Sequence, residues 1–123
     1  MVANPQSEPG DFQESQTGEE YHLRGYAAYA TGDYPAAQVD FQKALAFNPR
    51  DVEALYALGL VWKVQGRVEE SVNAFKQSLE LIQSGVVENK IRAEMLSRLA
   101  KGHLNVMTIG DWNLEKEIWK RNE

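Results

Sequence analysis

Residues 32–51 read GDYPAAQVDFQKALAFNPRD, and this stretch decides the fold. It opens on a Gly32-Asp33 turn signal, continues as an alanine-rich helical pattern and stops at Asn48-Pro49, since the residue before a proline avoids the α region. A related stretch, GRVEESVNAFKQSLELIQSG, returns 34 residues later as residues 66–85. A fixed period of this size indicates a repeated structural unit that stacks on its neighbours.

Overlaying residues 18–51 on residues 52–85 shows what the two units share. The aligned pairs are Gly25 with Gly59, Gly32 with Gly66, Ala37 with Ser71, Phe41 with Phe75, Ala44 with Ser78, and Leu45 with Leu79. Small and apolar residues recur at steps of three and four, which is helical spacing. Gly32 ends a first helix, Asp33 caps a second one, and Pro35 falls in its first turn, where proline is tolerated. Each unit is therefore predicted to be an antiparallel helix pair.

This pattern resembles the tetratricopeptide repeat (TPR) family, whose 34-residue unit has small residues where helices cross closely and large ones between them. The family positions hold Tyr21, Gly25, Ala28, Ala37, Phe41, Ala44 and Pro49 in the first unit, and Leu55, Gly59, Trp62, Ser71, Phe75, Ser78 and Gln83 in the second. The resemblance implies an all-α fold, a right-handed superhelical stack of antiparallel helix pairs. It also implies that Phe41 and Phe75 fill the space between units.

A third unit is atypical. Gly110-Asp111-Trp112 matches Gly32-Asp33-Tyr34, but it lies 78 residues after the first turn rather than 68. We expect a lengthened first helix over residues 87–108, with Leu99, Gly102, His103 and Val106 on its inner face, and Trp119 at the large position of a final helix. The predicted organisation is a tail over 1–18 and a repeat domain over 19–123. Its repeats are about 18–51, about 52–85 and about 86–123.

The N-terminal tail carries the net charge. Residues 1–20 contain five carboxylates and two of the four prolines but no Lys or Arg. Such a segment buries too little apolar surface to offset the entropy of ordering, so residues 1–18 are expected to be disordered. The rest of the chain has 13 acids and 13 bases, so the formal charge of −5 belongs to residues 1–20, that is, to the tail together with Glu19 and Glu20. A neutral folded part argues against nucleic acid as a partner, because phosphate binding needs a basic face.

Compartment and redox chemistry are constrained only weakly. No stretch has the pattern of a secretory signal, and no apolar run approaches the ~20 residues of a membrane span. We therefore expect no membrane insertion and a cytoplasmic location. The chain has no cysteine, so it forms neither a disulfide framework nor a thiolate zinc site.

Signals of catalysis are nearly missing from the sequence. The two histidines, His22 and His103, lie on different units and start no H-E-x-x-H pattern, and no nucleophile elbow, phosphate loop or calcium loop occurs. We read both histidines as structural or exposed and predict no enzyme activity and no cofactor. Lys90, Glu94, Arg98 and Lys101 follow one another at helical spacing and are read as a solvated face with a Glu94–Arg98 pair.

The informative surface is the groove that TPR stacks present along their first helices. By resemblance, the groove residues here are His22, Tyr26, Tyr29, Tyr56, Leu60, Lys63, Leu104 and Met107. Tyrosines beside Leu and Met make an amphipathic surface of the kind enriched in interfaces. The predicted function is a non-catalytic protein–protein interaction module that binds a peptide or helix of a partner in this groove. The structural alternative is that these side chains only pack against neighbouring helices or the tail.

Two further expectations concern partners. One TPR subfamily clamps the C-terminal carboxylate of chaperones, and the corresponding positions here are His22, Tyr26, Ala57, Ser97 and Lys101. Four of the five lack the required donor, so a chaperone tail is not expected. The alternative function is a structural subunit that self-associates, or docks in a larger complex, through its C-terminal helices.

Overall fold

A computed structural model describes residues 18–110, with only the backbone of Ile109. Five α-helices follow one another in this range, joined by short turns: α1 Gly18–Ala30, α2 Tyr34–Phe47, α3 Val52–Val64, α4 Val68–Gln83 and α5 Lys90–Ile109. Residues 18–110 contain no strand. The predicted N-terminal tail and the predicted last helix with Trp119 lie outside the described residues.

The helix ends follow the local sequence. Gly32 and Gly66 have φ of 86° and 79°, a left-handed conformation that favours glycine and lets the chain turn back within three residues. Each second helix then runs antiparallel to the first. Asp33 accepts a hydrogen bond from the Ala36 backbone N–H and caps α2, as predicted. Asp51 caps α3 in the same manner by accepting one from the Ala54 backbone N–H.

In the first two units, the two helices meet at a glycine covered by a phenylalanine ring. A Cβ atom added at Gly25 would lie 2.8 Å from the Phe41 ring, and one at Gly59 would lie 2.6 Å from the Phe75 ring. Phe41 and Phe75 are 1% and 0% exposed, so neither ring has free space to move into. Glycine is required at both crossings because any side chain would overpack them.

The same two rings also contact the next unit. Phe41 and Ala37 of α2 pack with Ala57, Leu58 and Val61 of α3 in one buried cluster. Phe75 and Leu79 of α4 pack with Ala100 and Leu104 of α5 in another. Each phenylalanine thus joins its own helix pair and the following first helix, as the sequence predicts.

Serine replaces alanine at two buried positions of the second unit without leaving a polar atom unpaired. The Ser71 hydroxyl donates to the Gly59 carbonyl oxygen at 2.7 Å, and the Ser78 hydroxyl donates to the Ala74 carbonyl oxygen at 2.9 Å. The close approach of the helices requires a small residue at both positions, and a buried hydroxyl is tolerated because it is hydrogen-bonded.

The register of α5 differs from the prediction by one residue. The buried positions of α3 include Ala57, Gly59 and Val61, and those of α5 include Ala100, Gly102 and Leu104. The two sets coincide when Gly102, rather than His103, is aligned with Gly59. The cause is local: Gly110 lies eight positions after Gly102, whereas Gly66 lies seven positions after Gly59. The helix also begins at Lys90 rather than at residue 87.

Among the helices of the described residues, none is both long enough and apolar enough to cross a lipid bilayer.

Replacing Gly59 with alanine should destabilise the protein by about 1–2 kcal/mol, because overpacking outweighs the gain of roughly 1 kcal/mol in helix propensity. Urea unfolding measures the change. Gly18→Ala is the matched control, since its Cβ would meet Phe47 at an ordinary 3.6 Å. Equal stability of both variants would show that Phe75 does not cover Gly59.

Candidate functional site

Three aromatic side chains line the face shared by α1 and α3. Tyr26 is 39% exposed, and Tyr29 and Tyr56 are partly buried. Tyr26 and Tyr29 lie on α1 and Tyr56 lies on α3 of the next unit, and these three residues are called the tyrosine row below. Burial raises the pKa of Tyr26 to about 12, with smaller contributions from Glu53, Tyr56 and Asp51. The hydroxyl therefore stays protonated at neutral pH and can both donate and accept a hydrogen bond.

The phenylalanines of the core support this row from below. The Tyr26 ring meets Phe41 edge-on with centroids 5.1 Å apart, and the Tyr56 ring meets Phe75 at 5.6 Å. Such contacts hold aromatic side chains in defined positions. The groove floor is consequently pre-organised by the same rings that cover Gly25 and Gly59.

His103 extends the row onto α5. Its ring stacks on Phe75 with centroids 5.0 Å apart and an interplanar angle of 6°. Its Nδ1 lies 2.9 Å from the Lys63 Nζ, and its Nε2 lies 3.3 Å from the Tyr56 hydroxyl. Because an ammonium only donates, Nδ1 must accept; Nε2 then carries the proton and donates to Tyr56, an assignment that follows from the hydrogen bonds.

This cluster of Lys63, Tyr56 and His103 joins the second and third units on the groove side. Sequence reasoning placed His103 on the inner face of the third unit, because it took Gly110 as the reference for the register. Aligning Gly102 with Gly59 instead would have placed His103 at the position of Leu60. The reading of His103 as a structurally satisfied histidine agrees with these contacts.

Leu104 is not a groove residue. It is 0% exposed and packs against Phe75 and Leu79 in the core. The one-residue shift of α5 turns this side chain toward α4 and brings His103 to the groove instead. Met107 remains partly buried beside the same cluster, as do Tyr56 and Leu60. These three residues therefore also contribute to packing, as the structural alternative expects.

One end of the groove is charged. His22 Nε2 lies 2.7 Å from the Asp51 carboxylate, and His22 Nδ1 lies 3.6 Å from Glu53. Glu53 also pairs with Arg92 of α5. A cavity of about 310 Å³ lies between these residues and the α4–α5 turn. Glu53, in the first turn of α3, therefore connects His22, one turn into α1, with Arg92 in the first turn of α5.

The comparison with protein families agrees with this architecture. The family model described as Tetratricopeptide repeat matches residues 22–85, which are more than half of the chain. The chain belongs to the tetratricopeptide repeat family. The TPR match ends at the α4–α5 turn, before the helix whose register departs from the pattern.

A curated relative is a TPR repeat-containing protein of Methanocaldococcus jannaschii, with 30% identity over 64 residues. These residues are 52% of this chain and 11% of that protein. The chain thus matches about a tenth of the length of this TPR relative. No solved structure matches the chain.

The TPR family suggests a role in protein–protein interaction, and the described residues offer no metal centre. Within residues 18–110, no group of three His, Asp or Glu side chains is placed to hold a metal ion. The His22–Asp51 pair is explained by its position, because Asp51 also caps α3 and both residues brace neighbouring units of the TPR stack.

Acidification should reveal the buried position of His103. Burial and the Lys63 ammonium lower the pKa of His103 from 6.5 to about 4. Between these values the unfolded chain binds a proton that the folded chain does not, so stability is complete above about pH 6.5 and falls toward pH 4. We expect urea unfolding to show that His103→Gln removes about 1 kcal/mol of the loss between about pH 7 and about pH 5, a figure discounted for partial exposure.

His22→Gln is the control for this prediction, because it removes the other histidine of the groove and leaves the Lys63–His103 contact intact. It should keep the acid-dependent loss. A His103→Gln variant with the same pH dependence as the parent would show that His103 is accessible to protons in the folded chain.

Proposed function

We propose that this TPR chain is a non-catalytic interaction module that binds a peptide or helical segment of a partner protein in the groove of α1, α3 and α5. The observation that supports it most is the row of Tyr26, Tyr29 and Tyr56, continued by His103. These rings are held from below by the core and open to solvent above. Rigid aromatic groups lose little entropy on binding and are enriched among the residues that dominate interface energetics.

The chemistry of the groove favours an amphipathic ligand. The tyrosine rings and Leu60 offer apolar contact, while the phenol hydroxyls and the Lys63 ammonium offer hydrogen bonds at fixed positions. A groove that joins several first helices suits a segment laid along its length. The proposal includes a cytoplasmic location and no binding of nucleic acid, in keeping with the balanced charge of residues 21–123.

The test uses peptides selected from a random display library on the folded chain, with affinities measured by calorimetry. Tyr26→Ser should weaken the selected peptides roughly tenfold or more, since Tyr26 is the most exposed of the three rings. Leu23→Ser is the matched control. Leu23 lies on the same helix, is 65% exposed and, at ~100° per residue, lies about 90° around the helix from the line of His22, Tyr26 and Tyr29.

Circular dichroism should show that both variants keep their helicity. Loss of binding in Leu23→Ser, with Tyr26→Ser unaffected, would place recognition on the outer face of α1 and contradict the groove proposal.

A second candidate, self-association, is favoured by an exposed apolar stripe on α5. Ile91 is 83% exposed and Met95 is 52% exposed, one helical turn apart. Two large apolar side chains side by side at the surface are a feature of interfaces. If this stripe joins two copies, Ile91→Asp should shift the sedimentation coefficient from dimer to monomer while helicity is unchanged. A parent chain that is monomeric at high micromolar concentration would contradict self-association.

A further inference from the structure

A second cavity lies on the other side of the α4–α5 turn, and its lining is cationic. It has a volume of about 450 Å³, and Lys90, Arg98 and Lys101 of α5 line it above a floor that includes Ile82 and Val87. Glu94 is the single acidic residue among its lining residues. Lys101 has an interaction of its own, but Lys90 and Arg98 alone outnumber Glu94, so the lining has an excess of positive charge although residues 21–123 as a whole are neutral.

Most other cations of the described residues already have a carboxylate or a histidine as partner. Arg24 pairs with Asp40, Arg67 with Glu70, Arg92 with Glu53 and Lys63 with His103. Within residues 18–110, neither Lys90 nor Arg98 makes an ion pair. The Glu94–Arg98 pair predicted from the i,i+4 spacing does not form, so Arg98 remains available to a carboxylate from elsewhere.

We propose that this cationic cavity binds the acidic segment of residues 8–14 of the same chain. Residues 1–17 carry Glu8, Asp11 and Glu14 and no Lys or Arg. The three carboxylates are spaced at intervals of three residues. Their charge is opposite in sign to the excess charge of the cavity, and Phe12 and Pro9 between them can contact Ile82 and Val87 of its lining.

The reach of the segment agrees with this docking. His22, one turn into α1, and Arg92, in the first turn of α5, both contact Glu53. Gly18 lies one turn before His22, and Lys90 lies two residues before Arg92. At ~3.3 Å per extended residue, Glu14 reaches at most ~13 Å from Gly18 and Glu8 ~33 Å, a range that covers the beginning of α5.

The groove is a less favourable binding site for this acidic segment. The groove end nearest to Gly18 holds Asp51 and Glu53, whose carboxylates would face those of the segment. The cavity at this end is lined by Asp51, Glu53 and Glu88 against Arg50 and Arg92, so its carboxylates outnumber its cations. In the cationic cavity the cations outnumber the carboxylates, and Lys90 and Arg98 form no ion pair within residues 18–110.

Paramagnetic relaxation tests the docking in the full chain. Because the chain has no cysteine, Ser7→Cys provides a single site for a nitroxide label beside Glu8. We expect the label to broaden the amide signals of residues 90–101 most strongly. Raising the salt from about 0.05 M to about 0.5 M should reduce this broadening roughly threefold or more, because screening shortens the Debye length from over 10 Å to about 4 Å.

The double variant Lys90→Glu/Arg98→Glu should abolish the broadening at the cavity. Lys43→Glu/Lys76→Glu is the control, since it makes the same change of charge at two lysines outside the cavity. Should the first double variant fail to fold, Lys90→Ala/Arg98→Ala provides the same comparison without reversed charge.

Three results would overturn the proposal. Broadening that is uniform over the chain would show an undocked segment, and broadening centred on Tyr26 and Tyr56 would show that the segment occupies the groove. Broadening of residues 90–101 that persists in both cavity variants would show that these cations do not hold the segment.

Discussion

The structure depends on one recurring contact, a phenylalanine ring pressed against a glycine of the neighbouring helix. Phe41 covers Gly25 and Phe75 covers Gly59, at distances that leave no room for a side chain. The contact fixes how closely the two helices of a unit approach. Because the same rings reach the next first helix through the clusters around Leu58 and Leu104, it also fixes how one unit sits on the next.

The candidate binding surface follows from this contact. With Phe41 and Phe75 held in the core, their opposite edges support Tyr26, Tyr56 and the stacked ring of His103. The groove therefore has a rigid aromatic floor without any strand or long loop to position it. Tyr56 and Leu60 of the proposed groove also pack against the core, so substitutions there should act on stability as well as on the proposed binding.

The sequence was sufficient for the repeat, its turns and its crossings. Gly25, Gly32 and Phe41 return as Gly59, Gly66 and Phe75 because the physical demand at each position recurs every 34 residues. The register of α5 could not be derived in the same way. One additional residue between Gly102 and Gly110 moves the turn glycine relative to the crossing glycine, so an alignment on the turn rotates the helix by about 100°. That rotation exchanged the places of Leu104 and His103.

The contacts of His103 with Lys63 and Tyr56 could not be predicted from the sequence either. They join residues 40 and 47 positions apart, and they depend on the register of α5. Ion pairs could be predicted from the sequence only in part. The spacing of Glu94 and Arg98 favours a pair on an isolated helix, but local spacing does not determine which rotamers the surrounding cavity selects.

A two-dimensional nuclear Overhauser spectrum of the folded chain tests the central claim most directly. The Gly25 and Gly59 Hα protons should show strong cross-peaks to the rings of Phe41 and Phe75, respectively. Ring currents should also move these Hα resonances upfield of their values in unfolded peptides. Glycine Hα resonances at unfolded-peptide positions, without cross-peaks to either ring, would contradict the account of how this stack is held together and of what supports its groove.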